Sequence, residues 1–508
     1  MQRLESAHRA TAAVLMAELG PAGHWTGELS SSALSTATAV TALATLNRTD
    51  DAGLIRGGLT WLAAHANPDG GWGDTVRSRS NLSTTALAWA AFGAAGADAA
   101  FAGTVQNAVR YLERSAGSLD RLVPAIEALY GKDRTFSVPI TMTLALSGRL
   151  GTNGWKRVRP LPFELAALPR GVFGALRLPV VSYALPALIA IGQVIHQRTG
   201  RFNPLRTLAR ERTLEVLTTL QPDNGGFLEA TPLTSFVTMS LGGMGRADHD
   251  VARRGAQFLR RSVRPDGSWP IDTNLATWVT TLSIKALGFS ELLGPAPQAK
   301  AEDRNRARRL REWLLDQQYR IEHPYTGAAP GGWAWTDLPG GVPDADDTAG
   351  ALLALRQLRD AEDSGRTDRS AEAGIEWLLN LQNRDGGIPT FCRGWGALPF
   401  DRSTPELTAH AIRAWHAWLK DLQPGRADRV RAAIHRGFRY LARNQRPDGA
   451  WVPLWFGNEA APHQENPVYG TAQVLIGLNG LWPQDPHEPS GFPRGIRFLS
   501  NVQNPDGG

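Results

Sequence analysis

The sequence predicts an all-α fold of two (α/α) barrels, each built from helical hairpins. A helix followed by a Pro-Asp-Gly turn, or a close variant of it, recurs along the 508-residue chain. Most of these turns lead into a second helical segment that is nearly free of charge. Two concentric layers require this alternation, because outer helices face water while inner helices are buried on both sides.

The first half of each repeat is a helical run that contains an aromatic residue followed by leucine, as in Trp61-Leu62. The run ends at Pro-Asp-Gly because that sequence is a strong turn signal. The clear copies occupy residues 56–72, 253–269, 374–387, 435–451 and 494–508, and looser copies end at Trp25, Phe227 and Trp333. A unit that recurs over a whole chain indicates a repeat architecture.

The second half of each repeat opens with Ser, Thr, Asn or Pro, which are typical of helix starts. These segments begin at Ser80, Thr231, Thr273, Ser403 and Asn466. The alternative architecture is an open α-solenoid, which presents one layer of helices to a solvated concave surface. The nearly charge-free second helices favour closed barrels.

The length is compatible with several domains at roughly 150 residues each. We expect two, an N-terminal α-barrel of residues 1–272 and a C-terminal catalytic α-barrel of residues 273–508. Residues 178–195 carry no charge and reach the minimum length of a transmembrane helix. Because a helix that is apolar all round also fits inside a large protein, we expect a buried inner helix there.

Composition excludes several classes of function. Lys and Arg number 54 against 48 Asp and Glu, but they are spread along the chain, so we expect no nucleic-acid partner. The one cysteine, Cys392, excludes an internal disulfide and a cysteine-rich metal site. The first residues lack the apolar core of a signal peptide. The expected location is the cytoplasm.

Three aspartates stand close together in the stretch PDADDTA: Asp344, Asp346 and Asp347. Carboxylates clustered in a low-dielectric site can keep a proton on one member, which provides a strong acid that is un-ionised at rest. The alternatives are a solvated turn or a calcium site. The following TAGALLAL is apolar and helical, and the further oxygen ligands of a calcium loop are absent. The cluster therefore predicts acid catalysis.

The tandem repeats resemble the QW repeats of the squalene-hopene cyclase and oxidosqualene cyclase family, and PDADDTA is similar to the DxDD motif of class II terpene cyclases. The resemblance runs from about Trp25 to the last residue. The resemblance implies a terpenoid cyclase/prenyltransferase-like toroid. It also implies a linear polyprenoid substrate, squalene-like in length. Protonation of the terminal alkene of this substrate would start a cationic ring-closing cascade. The alternatives are a cyclase of a shorter or prenylated-aromatic substrate and a non-catalytic repeat scaffold.

By this resemblance the middle acid, Asp346, donates the proton, while Asp344 and Asp347 shape its hydrogen bonding. Glu406 and His410 lie four residues apart, and therefore on one helix face, in the place of the family's Asp-x-x-x-His. A protonated histidine bonded to the acid would increase its acidity by stabilising the carboxylate.

Tyr469 stands in the family's Tyr-Gly-Thr motif, where the tyrosine helps to return a proton through water. The aromatic content is unusual, with 17 Trp against 16 Phe and 7 Tyr. Aromatic faces stabilise carbocations, and indole does so best. The resemblance implies a substrate cavity lined by Trp335, Trp278, Trp455 and Tyr183. The residues that end repeats are expected to be structural: Trp72, Trp269, Trp333 and Trp451.

We expect no metal and no other cofactor. The sequence has no DDxxD motif for magnesium diphosphate, and the zinc ligands of protein prenyltransferase β-subunits cannot be assembled around Cys392. The expected partner is a polyprenoid lipid; peripheral contact with the inner face of the cytoplasmic membrane and a homodimer are left open. The chain stops at NPDGG, inside a repeat, whereas the family continues, so we expect a truncated C-terminal barrel.

Overall fold

The computed structural model of the protein is mainly helical. It describes residues 2–131, 134–169, 184–200, 203–293, 301–324, 326–360, 364–391, 401–454, 456–481 and 491–507. Two short strands, β1 Ser31–Ser32 and β2 Trp269–Pro270, pair antiparallel. The helices are α1 Gln2–Ala17, α2 Ala33–Leu46, α3 Ala52–Ala64, α4 Leu82–Ala94, α5 Ala102–Ala116, α6 Leu122–Tyr130, α7 Arg134–Leu146, α8 Leu185–Thr199, α9 Pro204–Leu220, α10 Thr231–Gly243, α11 Asp250–Ser262, α12 Ala276–Leu293, α13 Ala301–Asp316, α14 Ala345–Gln357, α15 Gly365–Leu381, α16 Pro405–Trp418, α17 Pro424–Asn444, α18 Pro467–Leu478 and α19 Gly491–Val502.

The chain groups into two compact units. The N-unit comprises Glu28–Asn274 and Leu338–Gly340, and the C-unit comprises Met1–Gly27, Leu275–Asp337 and Gly341–Gly508. The first 27 residues group with the C-unit, whereas the domain bounds predicted from the sequence include them in the N-terminal domain. Trp25 explains this grouping, because its backbone N–H donates to the hydroxyl of Thr280 in α12 (3.1 Å). The functional domains 1–272 and 273–508 stay a prediction.

In the N-unit, α2, α4, α7, α8 and α10 form a ring of inner helices in which α10 packs back against α2. The inner helix α2 has no charged side chain and is buried over nearly its whole length. Its threonines satisfy their hydroxyls within the helix; Thr41, for example, donates to the carbonyl of Ala37 (2.8 Å). This ring confirms the predicted all-α fold of layered helices.

The outer helices are amphipathic, as predicted. In α11, Val251, Phe258 and Leu259 are buried, while the opposite face carries arginines. Residues 184–195 of the segment predicted as a buried helix belong mostly to α8, where Ile189 and Ile195 are buried. The earlier residues of that segment, 178–183, lie outside the described residues. Within the described ranges, no helix combines the length and apolarity needed to cross a bilayer.

The tryptophans that end the repeats fasten consecutive helices to each other. Each donates its indole N–H to a leucine carbonyl of the preceding helix and its backbone N–H to a threonine hydroxyl of an inner helix. The indole bonds join Trp72 to Leu62 (2.9 Å), Trp269 to Leu259 (2.8 Å), Trp333 to Leu314 (2.8 Å) and Trp451 to Leu441 (2.8 Å). These four side chains are at most 1% exposed.

The glycine of the Pro-Asp-Gly turn is required by the backbone. Gly449 has φ +95°, and a Cβ there would lie 2.4 Å from the carbonyl oxygen of Arg494. Any other residue would be strained and would collide with the next outer helix. The turn sequence therefore reflects the close approach of neighbouring repeats.

In the C-unit, the inner helices α12, α14, α16 and α18 pack side by side in that order. The outer helices α15, α17 and α19 each pack against an inner helix of this series. The inner helices bring their first turns to one cavity, which contains the predicted acid.

Candidate active site

A cavity of about 340 Å³ lies among the inner helices of the C-unit. Its lining combines carboxylates, cations and aromatic rings with aliphatic side chains. The described residues that line it are Trp278, Leu282, Lys285, Asp346, Glu406, Leu407, His410, Arg413, Phe456, Tyr469, Gln473, Ile476 and Gly477.

The aspartate cluster starts α14. Asp344 is the N-cap, and its carboxylate accepts a hydrogen bond from the backbone N–H of Asp347 (2.8 Å). Its own backbone N–H donates to the carbonyl of Trp333 (3.0 Å), so the repeat tryptophan is bonded directly to the cluster. An aspartate N-cap satisfies an otherwise unpaired N–H of the first turn. The same residues that begin the helix therefore hold the acid in place.

Asp346 is the aspartate of this cluster that faces the cavity. Its side chain is 29% exposed, whereas Asp344 and Asp347 are each 4% exposed. Asp346 Oδ1 lies 2.7 Å from Nδ1 of His410. Burial by itself would raise the pKa of Asp346, but hydrogen bonds from His410 and Trp278 and the charges of His410 and Lys285 outweigh it and lower the pKa. Asp346 is therefore a strong acid whenever it carries a proton.

The two buried aspartates behave in the opposite way. Burial raises the pKa of Asp344 to about 7, and burial together with the charges of Asp344 and Asp346 raises the pKa of Asp347 well above its ordinary value. Adjacent carboxyl groups out of water cannot both ionise readily. The Asp344–Asp347 pair therefore retains a proton at neutral pH, next to a member of the cluster that ionises easily.

Glu406 and His410 lie in the first turns of α16 and both line the cavity. Thr404 donates its hydroxyl to the carboxylate of Glu406. Glu406 is 4% exposed, and burial raises its pKa to about 7. Tyr469, in the first turn of α18, faces the same cavity, and burial raises its pKa to about 12. Tyr469 is therefore a neutral hydroxyl at neutral pH.

Replacing Glu406 with Gln is expected to stabilise the protein at pH 8 and to change its stability by less than about 1 kcal/mol at pH 5. The folded protein holds the proton of Glu406 up to a pKa of about 7, against an ordinary value of 4.5. The folded state thus binds more protons than the unfolded state between these values, and the free energy of unfolding falls as pH rises through them. At about 1.4 kcal/mol per pKa unit, the ionised Glu406 costs about 3 kcal/mol at pH 8.

Denaturant unfolding at the two pH values measures this difference. Glu459, an exposed glutamate of the same unit, supplies the matched control Glu459→Gln. An equal stability change at pH 5 and pH 8 in Glu406→Gln would contradict the expectation.

Two of the four predicted cavity aromatics can be placed. Trp278 lines the cavity and donates a side-chain hydrogen bond to Asp346. Trp335 is not among the described lining residues; its carbonyl accepts the backbone N–H of Trp278 (3.0 Å), and its ring meets Phe391 edge to face with centroids 6.3 Å apart. Trp455 and Tyr183 lie outside the described residues.

Several residues that line the cavity were not predicted from the sequence, among them Phe456, Lys285 and Arg413. Phe456, at φ +62°, places its ring 5.0 Å from that of Tyr469. Lys285 and Arg413 bring positive charge to the same cavity. Their spacing carried a usable signal, because Lys285 follows Trp278 by seven residues and Arg413 follows Glu406 by seven, which places each pair on one helix face.

The arrangement is suited to proton transfer within a confined space. It offers one accessible carboxyl group, a histidine bonded to it, and aromatic rings beside it. Among the residues that the structure describes, no three His, Cys, Asp or Glu side chains are grouped to hold a metal ion. The expectation that no cofactor is needed stays a prediction.

Both halves of the chain match family models. Residues 8–221 match "Squalene-hopene cyclase N-terminal domain", and residues 275–508 match "Squalene-hopene cyclase C-terminal domain".

Individual relatives agree with these matches. The enfumafungin synthase of Hormonema carpetanum is 30% identical over 283 residues, which cover 51% of this chain and 20% of that one. The squalene-hopene cyclase of Alicyclobacillus acidocaldarius is 27% identical over 305 residues, which cover 55% of this chain and 43% of that one. In both comparisons the match spans less than half of the relative.

A solved structure supports the fold. The ent-copalyl diphosphate synthase from Streptomyces platensis superposes with a TM-score of 0.55 at 20% identity, over 98% of this chain and 84% of that one.

Proposed function

The chain belongs to the squalene-hopene cyclase family, and from this premise we propose that it is a class II terpene cyclase that protonates the terminal alkene of a linear polyprenoid. The observation that carries the proposal is the 2.7 Å contact between Asp346 and His410 at the wall of a partly apolar cavity. The names of the relatives support a polyprenoid substrate, and a squalene-like chain is the expectation from the sequence.

Asp346 is proposed to be the proton donor because it is the accessible acid. The π electrons of the alkene take the proton from the carboxyl group, which leaves a tertiary carbocation and the Asp346 carboxylate. His410 and Trp278 stabilise this carboxylate through their hydrogen bonds, which is the reason for its low pKa. A donor whose conjugate base is stabilised in advance lowers the barrier to protonating a weak base.

The cation then closes rings in turn and ends by losing a proton or by capturing water. Trp278, Phe456 and Tyr469 present aromatic side chains to the cavity, and aromatic faces stabilise cations without bonding to them. The neutral hydroxyl of Tyr469 can both donate and accept a hydrogen bond, so we assign it to the return of a proton towards Asp346.

Product analysis tests this proposal. The protein is incubated with squalene, farnesyl and geranylgeranyl derivatives, and the products are analysed by mass spectrometry. A cyclic product has the mass of its substrate, or that mass plus one water. Recovery of unchanged substrate from every incubation would instead favour a repeat scaffold without activity.

We further propose that the protein attaches peripherally to a bilayer through α9. Leu205 and Leu208 are 70% and 83% exposed on this helix, and exposed leucines favour insertion at a lipid interface. The double variant Leu205→Ser/Leu208→Ser should sediment less with vesicles of phosphatidylcholine and phosphatidylglycerol. Ile321→Ser, which removes a 72% exposed side chain of the C-unit, is the control. Equal sedimentation of both variants would contradict the assignment to α9.

A further inference from the structure

Two cations line the cavity beside the residues that transfer the proton, and neither donates or accepts that proton. Lys285 on α12 and Arg413 on α16 both line the cavity and are partly buried. Within the described ranges, neither forms an ion pair or a hydrogen bond with a carboxylate, whereas the buried Arg311 lies 3.5 Å from the carboxylate of Glu312. A positive charge that is partly withdrawn from water is stabilised by an anionic partner, so such a partner is expected for these cations.

The helical register places the two cations in one layer of the cavity. Trp278 and Lys285 are seven residues apart on α12, and Glu406 and Arg413 are seven residues apart on α16. At 1.5 Å per residue, the cations lie about 10 Å along the helices from the first-turn residues, and Arg413 lies about 5 Å beyond His410. The cavity thus carries the acid and the positive charges in different layers along the inner helices.

The net charge of the lining favours an anion. Below neutral pH, Glu406, with a pKa of about 7, is largely un-ionised, so Asp346 is the one described lining residue that can still supply a full negative charge. The two positive charges of Lys285 and Arg413 then exceed the negative charge of Asp346 by at least one. Burial, followed by the charge of Arg413, lowers the pKa of Lys285, and the opposing charge of Asp346 offsets this shift only in part.

We propose that Lys285 and Arg413 form a subsite for an anionic oxygen group, such as a diphosphate or a carboxylate, carried by a short polyprenoid substrate. The subsite rests on the proposed function, because the acid must reach the alkene at the other end of the same molecule. A separation of about 5–10 Å along the helices corresponds to one or two isoprene units between head group and alkene, at about 1.5 Å per C–C bond. A neutral triterpene has no group that would use these charges.

Gln473 on α18 adds a neutral donor to the same lining. Lysine and arginine give charge-assisted hydrogen bonds to oxyanions, and arginine can bind two oxygens at once. The two cations therefore supply both charge and orientation to a head group, which holds the chain with its alkene towards Asp346.

Calorimetric titration with farnesyl diphosphate and with farnesol tests the subsite, because the two ligands share one tail and differ in charge. The titrations use the Asp346→Asn protein, so that no ligand is consumed, and contain no divalent cations. Lys285→Met and Arg413→Met should each lower the affinity for farnesyl diphosphate at least tenfold and the affinity for farnesol less than twofold. Lys420→Met removes an exposed lysine of the same unit and should leave both affinities unchanged. Equal affinity in all variants, or equal weakening of both ligands, would overturn the subsite.

Lys285→Arg keeps the charge and should restore binding, which separates the loss of charge from misfolding. Titration with inorganic diphosphate separates two sources of the anion. If it binds at least tenfold more weakly than farnesyl diphosphate, the subsite serves the head group of a substrate; if the two bind equally, the subsite serves a free anion. Both results support the subsite. Turnover of squalene or farnesol by a protein whose cations bind no anion would refute the subsite and leave the proposed function standing. Charge-dependent binding of the ligands without any cyclisation would support the subsite and refute the proposed function.

Discussion

Asp346→Asn is expected to lower kcat for polyprenoid cyclisation by about 10³-fold or more, which lies within the range of general acid catalysis. The amide has nearly the shape of the carboxyl group and can still accept a hydrogen bond from His410. It has no acidic proton to give to an alkene. The loss should therefore appear in kcat, while substrate affinity changes little, because the removed interaction is needed at the transition state.

The matched control is Asp428→Asn, which makes the same change on the exposed face of α17. Its turnover should equal that of the unaltered protein. Thermal unfolding of both variants checks that each is folded. Undiminished turnover in Asp346→Asn would show that another group donates the proton, and the un-ionised Asp344–Asp347 pair would become the first candidate.

Trp333→Ala is expected to cost about 3–5 kcal/mol of unfolding free energy, the range for removing a buried aromatic side chain. Trp333 is fully buried, and its indole N–H donates to the carbonyl of Leu314 (2.8 Å). Its ring packs against Gly374, where an added Cβ would lie 2.8 Å from the ring. The substitution therefore leaves a cavity and an unpaired carbonyl group between two helices.

Activity should fall as well. The backbone of Trp333 is bonded to the acid cluster, and loss of the buried indole is expected to shift this backbone. Its N–H donates to the hydroxyl of Thr348 (3.0 Å), and its carbonyl accepts the N–H of Asp344 (3.0 Å). Trp333→Phe retains most of the ring volume and loses the indole hydrogen bond. It should therefore lower the free energy of unfolding clearly less than Trp333→Ala does. Denaturant unfolding measures both variants. A loss below about 1 kcal/mol in Trp333→Ala would mean that this tryptophan is not the structural element inferred here.

Much of the fold was predictable because its determinants are local. The Pro-Asp-Gly turns and the alternation of charged and charge-free helices depend on short stretches of chain. The acid cluster was predictable for the same reason, since Asp344, Asp346 and Asp347 are adjacent. Glu406 and His410 followed from a spacing of four residues on one helix.

Other features depend on residues that are far apart in the chain. The grouping of the first 27 residues with the C-unit depends on a hydrogen bond between Trp25 and Thr280, which no local pattern indicates. The proton affinities within the aspartate cluster are likewise a consequence of packing. Asp346 has a low pKa because His410, 64 residues away, is bonded to it, whereas Asp344 and Asp347 have raised pKa values because they are buried.

The sequence by itself determined the repeat, the helical layers and the identity of the acid cluster, because each depends on residues within one or two turns of helix. The tertiary structure decided which aspartate reaches the cavity, and it brought Lys285 and Arg413 to the same cavity as Asp346. In the sequence their spacing places each on one helix face with Trp278 or Glu406, but it does not show that both helices face one cavity. Their significance arises from burial and proximity, which change the energy of a charge and which exist only after the inner helices have packed together.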